Sequence, residues 1–202
     1  MISAAATGFV TGFALILAIG AQNAFILRQG LLRQHVLPLV LFCAISDAVL
    51  IAAGVAGFSA IVAMLPWLPL VMLLGGAAFL FAYGAMRLWA AWKGDYEIGV
   101  HQGEASLGKV LAIAAAFTWL NPHVYLDTLG LMGAISTQYE NVALKTSFGI
   151  GGAVASFTFF FSLGYGARAL APIMQSPRAW RRLDVIIGIV MWALAVKLLL
   201  EL

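Results

Sequence analysis

Long apolar stretches alternate along the chain with short segments that hold most of its charge. Asp, Glu, Lys and Arg are absent from 1–27, from 48–86 and from 146–167. A helix that crosses a bilayer needs about 20 predominantly apolar residues, whereas the strands of a membrane barrel alternate in polarity over about ten residues. Because the apolar stretches are continuous, the pattern predicts membrane-spanning helices.

Six spans are predicted, in an all-α integral membrane protein whose single transmembrane domain occupies 1–202. Their predicted limits are 5–27, 37–63, 68–89, 108–131, 146–168 and 183–201. No Lys or Arg precedes the first span, although a cleavable signal peptide has a basic segment there. We therefore expect the first span to remain in the mature protein.

Basic residues concentrate in every second loop. The loops after the first, third and fifth spans, together with the span ends beside them, hold nine of them, and the other two loops hold only Lys145. Because basic loops stay in the cytoplasm, six spans place both termini on the outer side of the membrane. The nine residues are Arg28, Arg33, Arg87, Lys93, Lys109, Arg168, Arg178, Arg181 and Arg182.

The composition narrows the class of protein further. The 202 residues are 63% hydrophobic and 9% charged, with a mean hydropathy of +1.02, whereas a soluble domain carries about 25% charged residues. The surface must therefore face lipid. The pI is near 9.2, but the basic residues lie in short loops between spans, so we expect no nucleic-acid partner.

Weak internal matches suggest that the chain contains two related halves. The segment 20–23 (GAQN) resembles 119–122 (WLNP), and Asn23 matches Asn121 at an offset of 98. Two further matches follow in the same order along the chain. Ser46 and Gly54 match Ser156 and Gly164 at an offset of 110, and Gly76 matches Gly188 at an offset of 112.

The matches divide the domain into repeat halves of about 1–95 and 105–202, with three spans in each. An odd number of spans gives the halves opposite orientations, which is the inverted repeat common in secondary transporters. Chance similarity between apolar segments is the alternative.

Helix-breaking residues interrupt the first and fourth spans at corresponding places. Pro122 cannot donate a backbone hydrogen bond and breaks a helix, and Asn121 is a favoured N-cap. In the first span, Gly20 can end one half-helix and Asn23 can cap the next. Paired interruptions indicate the binding site of a transporter, and half-helix N-termini favour anions such as a carboxylate. A kink that serves packing alone is the alternative.

Two aspartates lie within the predicted spans. Asp47 is in the second span and Asp127 follows the Asn-Pro break. An intramembrane carboxylate costs about 2.5–3.5 kcal/mol and indicates function by default. No Lys or Arg is expected at a similar depth, because Lys197 lies near the end of the last span, where its long side chain can reach the membrane interface. The two acids are therefore expected to bind a proton, a metal ion or a cationic substrate, unless each is a protonated packing residue.

His123 and Asp127 are four residues apart and share a helix face. Two such ligands without Cys or further His are too few for a zinc site, so no metal is expected. No triad in register supports serine hydrolysis, and the two acids lack the Gly-rich context of intramembrane aspartyl proteases.

The motifs 20–31 (GAQNAFILRQGL), 43–47 (CAISD) and 118–127 (TWLNPHVYLD), in this order on six apolar segments, resemble those of the LysE-type amino-acid exporters. Within that family the chain is most similar to the basic amino-acid branch. The resemblance covers essentially the whole chain, including 190–200 (VMWALAVKLLL). Relatives often have Gly-Pro-Gln-Asn where this chain has GAQN at 20–23, so its first break lacks a proline.

The resemblance implies a secondary transporter, not an enzyme, that exports L-arginine, L-lysine or both from a bacterial cytoplasm across the inner membrane. It implies no cofactor and no ATP hydrolysis. The expected partners are the basic amino acid, the lipid bilayer and protons, because exchange for protons would offset the outward movement of a cation. Whether the protein forms a homo-oligomer is left open.

Residue roles follow as a hypothesis. Asn23, Asn121 and the half-helix ends at Pro122 hold the carboxylate of the substrate. Asp47 and Asp127 face its guanidinium or ε-ammonium group and carry the coupling protons. The remaining predicted contacts, which supply neutral hydrogen bonds, are Gln22, Ser46 and Tyr125.

Three other functions stay open from the sequence. Exporters of neutral amino acids such as homoserine or threonine share the fold, although two acids in the site would be less necessary for them. A membrane-embedded enzyme would show hydrolytic activity without flux. A cation channel would show flux without saturation or countertransport.

Overall fold

In a computed structural model, which describes residues 1–17, 20–57, 67–94 and 105–200, every regular element is a helix or a helical turn. This confirms the all-α fold for the described residues. The elements in chain order are α1 (Ile2–Ile16), α2 (Ala21–Leu32), α3 (Val36–Val55), α4 (Leu68–Lys93), α5 (Leu107–Trp119), α6 (Pro122–Tyr125), a π-helical turn (Leu126–Leu131), α7 (Met132–Ser136), α8 (Val142–Gly166), a 3-10 turn (Ala167–Leu170) and α9 (Pro177–Leu199).

Several of these helices are suited to a membrane. Within the described ranges, three are long and apolar enough to cross one: α3, α4 from Leu70 onwards, and α8 with its 3-10 extension. The bent pair of α1 and α2, whose axes differ by 84°, makes a fourth if it counts as one span. α5 is a shorter apolar helix, and the charges of Arg182, Asp184 and Lys197 interrupt the apolar length of α9.

The limits of three predictions fall outside the described residues. They are the end of the second predicted span at 58–63, the repeat boundary at 95, and the end of the sixth span and of the domain at 201–202.

Polar caps set where three of the later helices begin. The side chain of Ser106 accepts a hydrogen bond from the backbone of Lys109 at the start of α5. Asn141 caps α8 in the same way, with an Oδ1 to N distance of 2.7 Å to Ala143. Ser176 caps α9 and is followed by a proline in the first turn. Such caps satisfy backbone N–H groups that have no partner within the helix.

The first break has a different cap from the one expected. α2 begins at Ala21 with Gly20 as its N-cap in an extended conformation, so the prediction that Asn23 caps this helix is wrong. Asn23 lies inside the first turn instead, and its Nδ2 donates to the carbonyl oxygen of Ile16 at 3.0 Å. The side chain therefore satisfies the end of α1 rather than the start of α2.

Glycines let α1 lie directly against α8. A β-carbon built on Gly8 would be 1.9 Å from the carbonyl oxygen of Phe148, and one built on Gly151 would be 2.0 Å from that of Ala5. Only glycine permits this approach from either side. The backbone of the first half-helix is thus in contact with the backbone of α8.

α4 and α9 form a second close pair. A β-carbon on Gly84 would lie 2.4 Å from the ring of Trp192 and 3.1 Å from the carbonyl oxygen of Gly188. The indole nitrogen of Trp192 donates to the carbonyl oxygen of Phe81 at 3.1 Å.

α3 occupies the middle of the molecule, in contact with α8 on one side and with α5, the π-helical turn and α7 on the other. A β-carbon on Gly54 would lie 2.5 Å from the carbonyl oxygen of Thr128 in the π-helical turn. The broken fourth span therefore packs closely against α3, which carries Asp47.

Candidate functional site

A cavity of about 340 Å³ lies at the level of the two helix breaks, and each of the helices α1 to α9 contributes to its lining. Its volume is in the range of pockets that bind small molecules. The polar and charged residues that line it are Gln22, Asn23, Asp47, Asn121, His123, Asp127, Thr128 and Lys197.

Asp47 brings a buried carboxylate to this cavity from α3. The residue is 4% exposed, and its Oδ2 accepts a hydrogen bond from Ser156 on α8 at 3.0 Å. That hydroxyl occupies only part of the acceptor capacity of a carboxylate. Asp47 can therefore accept hydrogen bonds from a cation in the cavity.

The Asn-Pro break of the fourth span is formed as predicted. α5 ends at Trp119, and Asn121 takes an extended conformation as the N-cap of α6. Its Oδ1 accepts from the backbone N–H of His123 at 3.1 Å. The break turns Asn121 and His123 toward the cavity, where both line the wall.

Asp127 lies in a π-helical turn rather than in a regular α-helix. This wider turn covers Leu126–Leu131, and the hydroxyl of Thr128 donates to the carbonyl oxygen of Val124 within it. Turns of this kind occur frequently at functional sites. Asp127 is half-buried and lines the cavity with His123, one turn before it.

Gln22 and Asn23 reach the cavity from the first turn of α2. The Nε2 of Gln22 is buried and has no hydrogen-bond partner among the described residues. The thiol of Cys43 lies beside it, but a thiol sulfur is a weak acceptor. The amide of Gln22 is therefore a donor that a bound molecule could satisfy.

Five of the eight predicted site residues line this one cavity, although they come from four separate elements. They are Gln22, Asn23, Asp47, Asn121 and Asp127. The other three do not line it, although each adjoins a lining residue along the chain. Ser46 is buried, Pro122 begins α6, and the hydroxyl of Tyr125 donates to the carbonyl oxygen of Trp119 at 3.2 Å.

Lys197 also lines the cavity, which differs from the expectation that no Lys or Arg is available at the depth of the two aspartates. Within the described residues its ammonium group forms no ion pair. The sequence placed it near the end of a span, and position along a span does not reveal which face of a helix meets the cavity.

Aromatic rings close the cavity on one side. Phe79 and Phe117 line the cavity, and their ring centroids are 4.9 Å apart. Phe117 also contacts Tyr83 at 5.1 Å and Phe25 at 5.5 Å. These four residues, from α2, α4 and α5, form an aromatic layer.

A buried ion cluster lies behind the aromatic layer. Asp184 is fully buried, and its Oδ1 is 3.0 Å from Nε of Arg28 and 3.7 Å from a guanidinium nitrogen of Arg87. The guanidinium of Arg87 also lies 5.4 Å from the ring centroid of Tyr83. The cluster therefore joins α2, α4 and α9 next to the aromatic layer.

The sequence interpretation missed this cluster because it counted both arginines as loop residues and did not consider Asp184. One signal was present: Asp184 is an acid two residues after Arg182, at the predicted start of a span.

The cavity is suited to binding a polar, cationic molecule. Two carboxylates and several hydrogen-bonding groups face a mostly apolar wall. Among the described residues, no group of three His, Cys, Asp or Glu side chains is placed to hold a metal ion.

Comparisons with known proteins agree with this description. The family described as "LysE type translocator" matches residues 13–202. Proteins named "Arginine exporter protein ArgO" from Salmonella enteritidis and Salmonella typhimurium are each 42% identical to this chain over 205 residues. The matches cover 100% of this chain and 95% of each relative. No solved structure matches.

Proposed function

The chain belongs to the LysE type translocator family, and from this premise we propose that it exports basic L-amino acids, L-arginine or L-lysine, from the cytoplasm. It is a transporter and not an enzyme. The relatives that match over the full length are named as arginine exporters. We place it in the bacterial inner membrane as a multi-pass protein with six spans.

The meeting of Asp47 and Asp127 in one cavity at the level of both helix breaks carries this proposal. A basic amino acid has two cationic groups, and each can pair with one carboxylate. Carboxylates inside a membrane are costly and mark substrate or ion pathways.

The other predicted site residues complete the proposed contacts. Asn23, Asn121 and the break at Pro122 face the carboxylate end of the substrate. The proposed neutral hydrogen-bonding groups are Gln22, which lines the cavity, and Ser46 and Tyr125, which adjoin lining residues along the chain.

An inverted repeat with halves of about 1–95 and 105–202 would explain how this site opens to either side. Two glycine contacts support it. A β-carbon on Gly54 would lie 2.5 Å from the carbonyl oxygen of Thr128, and one on Gly30 would lie 2.3 Å from that of Gly164. In the proposed repeat, Gly54 corresponds to Gly164 at an offset of 110, and Gly30 corresponds to Thr128 at an offset of 98. The two contacts therefore join the same pair of repeat positions, with the halves exchanged.

The pairing of whole elements supports the repeat as well. α1, from the first span, packs on α8, and the broken fourth span packs on α3. α3 and α8 are the second spans of their halves. α4 and α9, the third spans, pack on one another.

In the proposed export cycle, the halves rock against one another around the fixed site. The aromatic layer and the Arg28–Asp184–Arg87 cluster lie between the cavity and the loops that carry the basic residues. Because basic loops are cytoplasmic, we assign both features to the cytoplasmic closure. Substrate entry would then require this ion cluster to separate.

Proton exchange would supply the driving force. Arginine and lysine carry a net charge of +1, and outward movement against a negative-inside potential costs about 2.3 kcal/mol per 100 mV. Exchange for one proton cancels that charge movement, and exchange for two makes use of the potential. Asp47 and Asp127 are the proposed proton carriers, because one carboxylate cannot readily hold a proton and an organic cation together.

The test is efflux from proteoliposomes loaded with equal amounts of labelled arginine, lysine and threonine, with and without an imposed proton gradient. We expect preferential loss of arginine or lysine, faster when protons can enter in exchange. Loss of threonine instead would move the protein to the neutral amino-acid exporters. Efflux of arginine or lysine at a rate that does not depend on the proton gradient would refute the antiport mechanism. It would still support a basic amino acid as the substrate.

A further inference from the structure

We propose that Lys197 binds the α-carboxylate of the exported amino acid and so selects whole amino acids over other organic cations. This inference rests on the proposed function, since it assigns one further contact in the same site.

Lys197 lies at the depth of the break in the fourth span. A β-carbon on Gly76 would lie 2.3 Å from the carbonyl oxygen of Leu120 and 3.4 Å from the side chain of Leu198. Leu120 immediately precedes Asn121 in the break, and Leu198 immediately follows Lys197. The packing of these residues on one glycine thus sets Lys197 level with Asn121.

The face of α9 that carries Lys197 also faces the cavity. Leu194, Lys197 and Leu198 all line it, and the spacings of three and four residues place them on adjacent parts of one helix face. Trp192 and Val196 belong to the exposed apolar surface, and Lys197 is itself exposed. Lys197 therefore stands where the lipid-facing surface of α9 meets the cavity.

The charges of the cavity complement those of a basic amino acid one for one. Such a substrate has two cationic groups and one carboxylate. The cavity wall has two carboxylates, Asp47 and Asp127, and one ammonium group, that of Lys197. A simple diamine or guanidine would satisfy the acids and leave the lysine unmatched.

A second donor in the wall points to the same kind of ligand atom. The Nε2 of Gln22 is buried without a hydrogen-bond partner among the described residues, and Gln22 lines the same cavity as Lys197. Amide and ammonium groups both donate, and a carboxylate is an acceptor with two oxygens.

The experiment compares L-arginine with L-argininamide, which has the same shape and lacks only the negative charge. Each is tested as a competitor of labelled arginine efflux, and as a ligand that raises the thermal stability of the purified protein. The pH is kept low enough for the α-amine of the amide to stay protonated. We expect the wild type to prefer arginine by about ten- to hundredfold, the range for a hydrogen bond between charged groups.

Lys197→Gln should bring this preference close to one, by weakening arginine while leaving argininamide within about twofold of the wild type. Lys197→Arg should restore part of the preference. Lys109→Gln, which removes an exposed lysine on the first turn of α5, is the matched control and should change nothing. Lys197→Met keeps the aliphatic length and replaces the glutamine variant if that one does not accumulate.

Two results would overturn the inference: a wild type that binds arginine and argininamide equally, or a Lys197 variant that keeps the wild-type preference. Either would leave arginine export standing. Failure of the proposed function has a different signature, in which neither ligand competes with efflux or stabilises the wild type.

Discussion

At the scale of single residues, Asp47 best shows what the fold does for the site. Its carboxylate is 4% exposed, and its partner among the described residues, Ser156, comes from another helix at 3.0 Å. Burial of a carboxylate within a membrane costs about 2.5–3.5 kcal/mol. One hydrogen bond to a charged group, worth about 1.5–3 kcal/mol, offsets this cost only in part, which points to a role in binding.

Asp47→Asn should abolish proton-coupled export while the protein still folds. The amide has the size of the carboxylate and can still accept from Ser156, but it can neither pair with a cation nor carry a proton. Gradient-driven arginine efflux and the thermal unfolding temperature should be measured together. Ser156→Ala is the control, because it removes the neighbour and keeps the charge, and it should retain most of the efflux. Normal coupled export by Asp47→Asn and by Asp127→Asn would refute the two-aspartate mechanism.

The predicted site residues that stand out most clearly in the sequence, and that line the cavity, are those whose chemistry is costly in an apolar run. Asp47, Asp127 and Asn121 stand out against their neighbours without any knowledge of packing. Lys197 and Asp184 do not, because each lies near the end of a span, where a charge can also meet water. Only the packing of α9 shows that Asp184 is buried and that the exposed Lys197 borders the cavity.

At the scale of elements, the two breaks differ in how far the sequence determines them. Pro122 removes a backbone donor, so the end of α5 and the Asn121 cap follow from local chemistry. The first break has no proline, and the cap there is Gly20 rather than Asn23. The π-helical turn was not predicted, because its register depends on the contact that its backbone makes with Gly54.

Two adjacent glycines of α4 should respond in opposite ways to alanine. A β-carbon on Gly76 would lie 2.3 Å from the carbonyl oxygen of Leu120, whereas one on Gly75 meets nothing within 4 Å. Gly76→Ala should therefore cost about 1–3 kcal/mol through overpacking. Gly75→Ala should stabilise the helix by roughly 0.5–1 kcal/mol. Thermal unfolding in detergent measures both effects, and equal effects would contradict a close contact between α4 and the break in the fourth span.

The buried ion cluster should be more important to stability than the exposed charges on the same helix. Asp184→Asn leaves the guanidinium groups of Arg28 and Arg87 without their carboxylate and should cost about 3–5 kcal/mol. Arg181→Gln changes an exposed residue one turn earlier and should shift the unfolding temperature very little. The loss of stability in Asp184→Asn should persist at high salt, because buried pairs are screened weakly. A loss of stability that disappears at high salt would mean that the cluster is exposed to water.

At the scale of the whole molecule, the asymmetry of basic loops predicts which side each loop faces. Gln138, between α7 and α8, should be outside, and Gln175, before α9, should be in the cytoplasm. Both are exposed, and the native Cys43 is fully buried, so it should not react. Gln138→Cys should react with a membrane-impermeant maleimide in intact cells, and Gln175→Cys only after permeabilisation. The reverse pattern would invert the proposed orientation.

The helical membrane class of the molecule was predictable from the sequence, because a long continuous apolar run is compatible with few structures other than a membrane helix. The pairing of helices was not. Which glycine meets which backbone, as Gly8 meets Phe148, depends on contacts far apart in sequence. The same limit explains why the aromatic layer of Phe25, Phe79, Tyr83 and Phe117 could not be distinguished from bulk packing.

The π-helical turn has a consequence for how such a protein could diversify. It holds one more residue per turn than an α-helix, so the chain before it and the chain after it keep separate rotational registers. His123 lies before the turn and Asp127 near its start, and both line the cavity, while Gly133 lies after the turn against Gly54. Substitutions that change substrate choice can therefore accumulate before the turn without disturbing the contact between Gly133 and Gly54 after it.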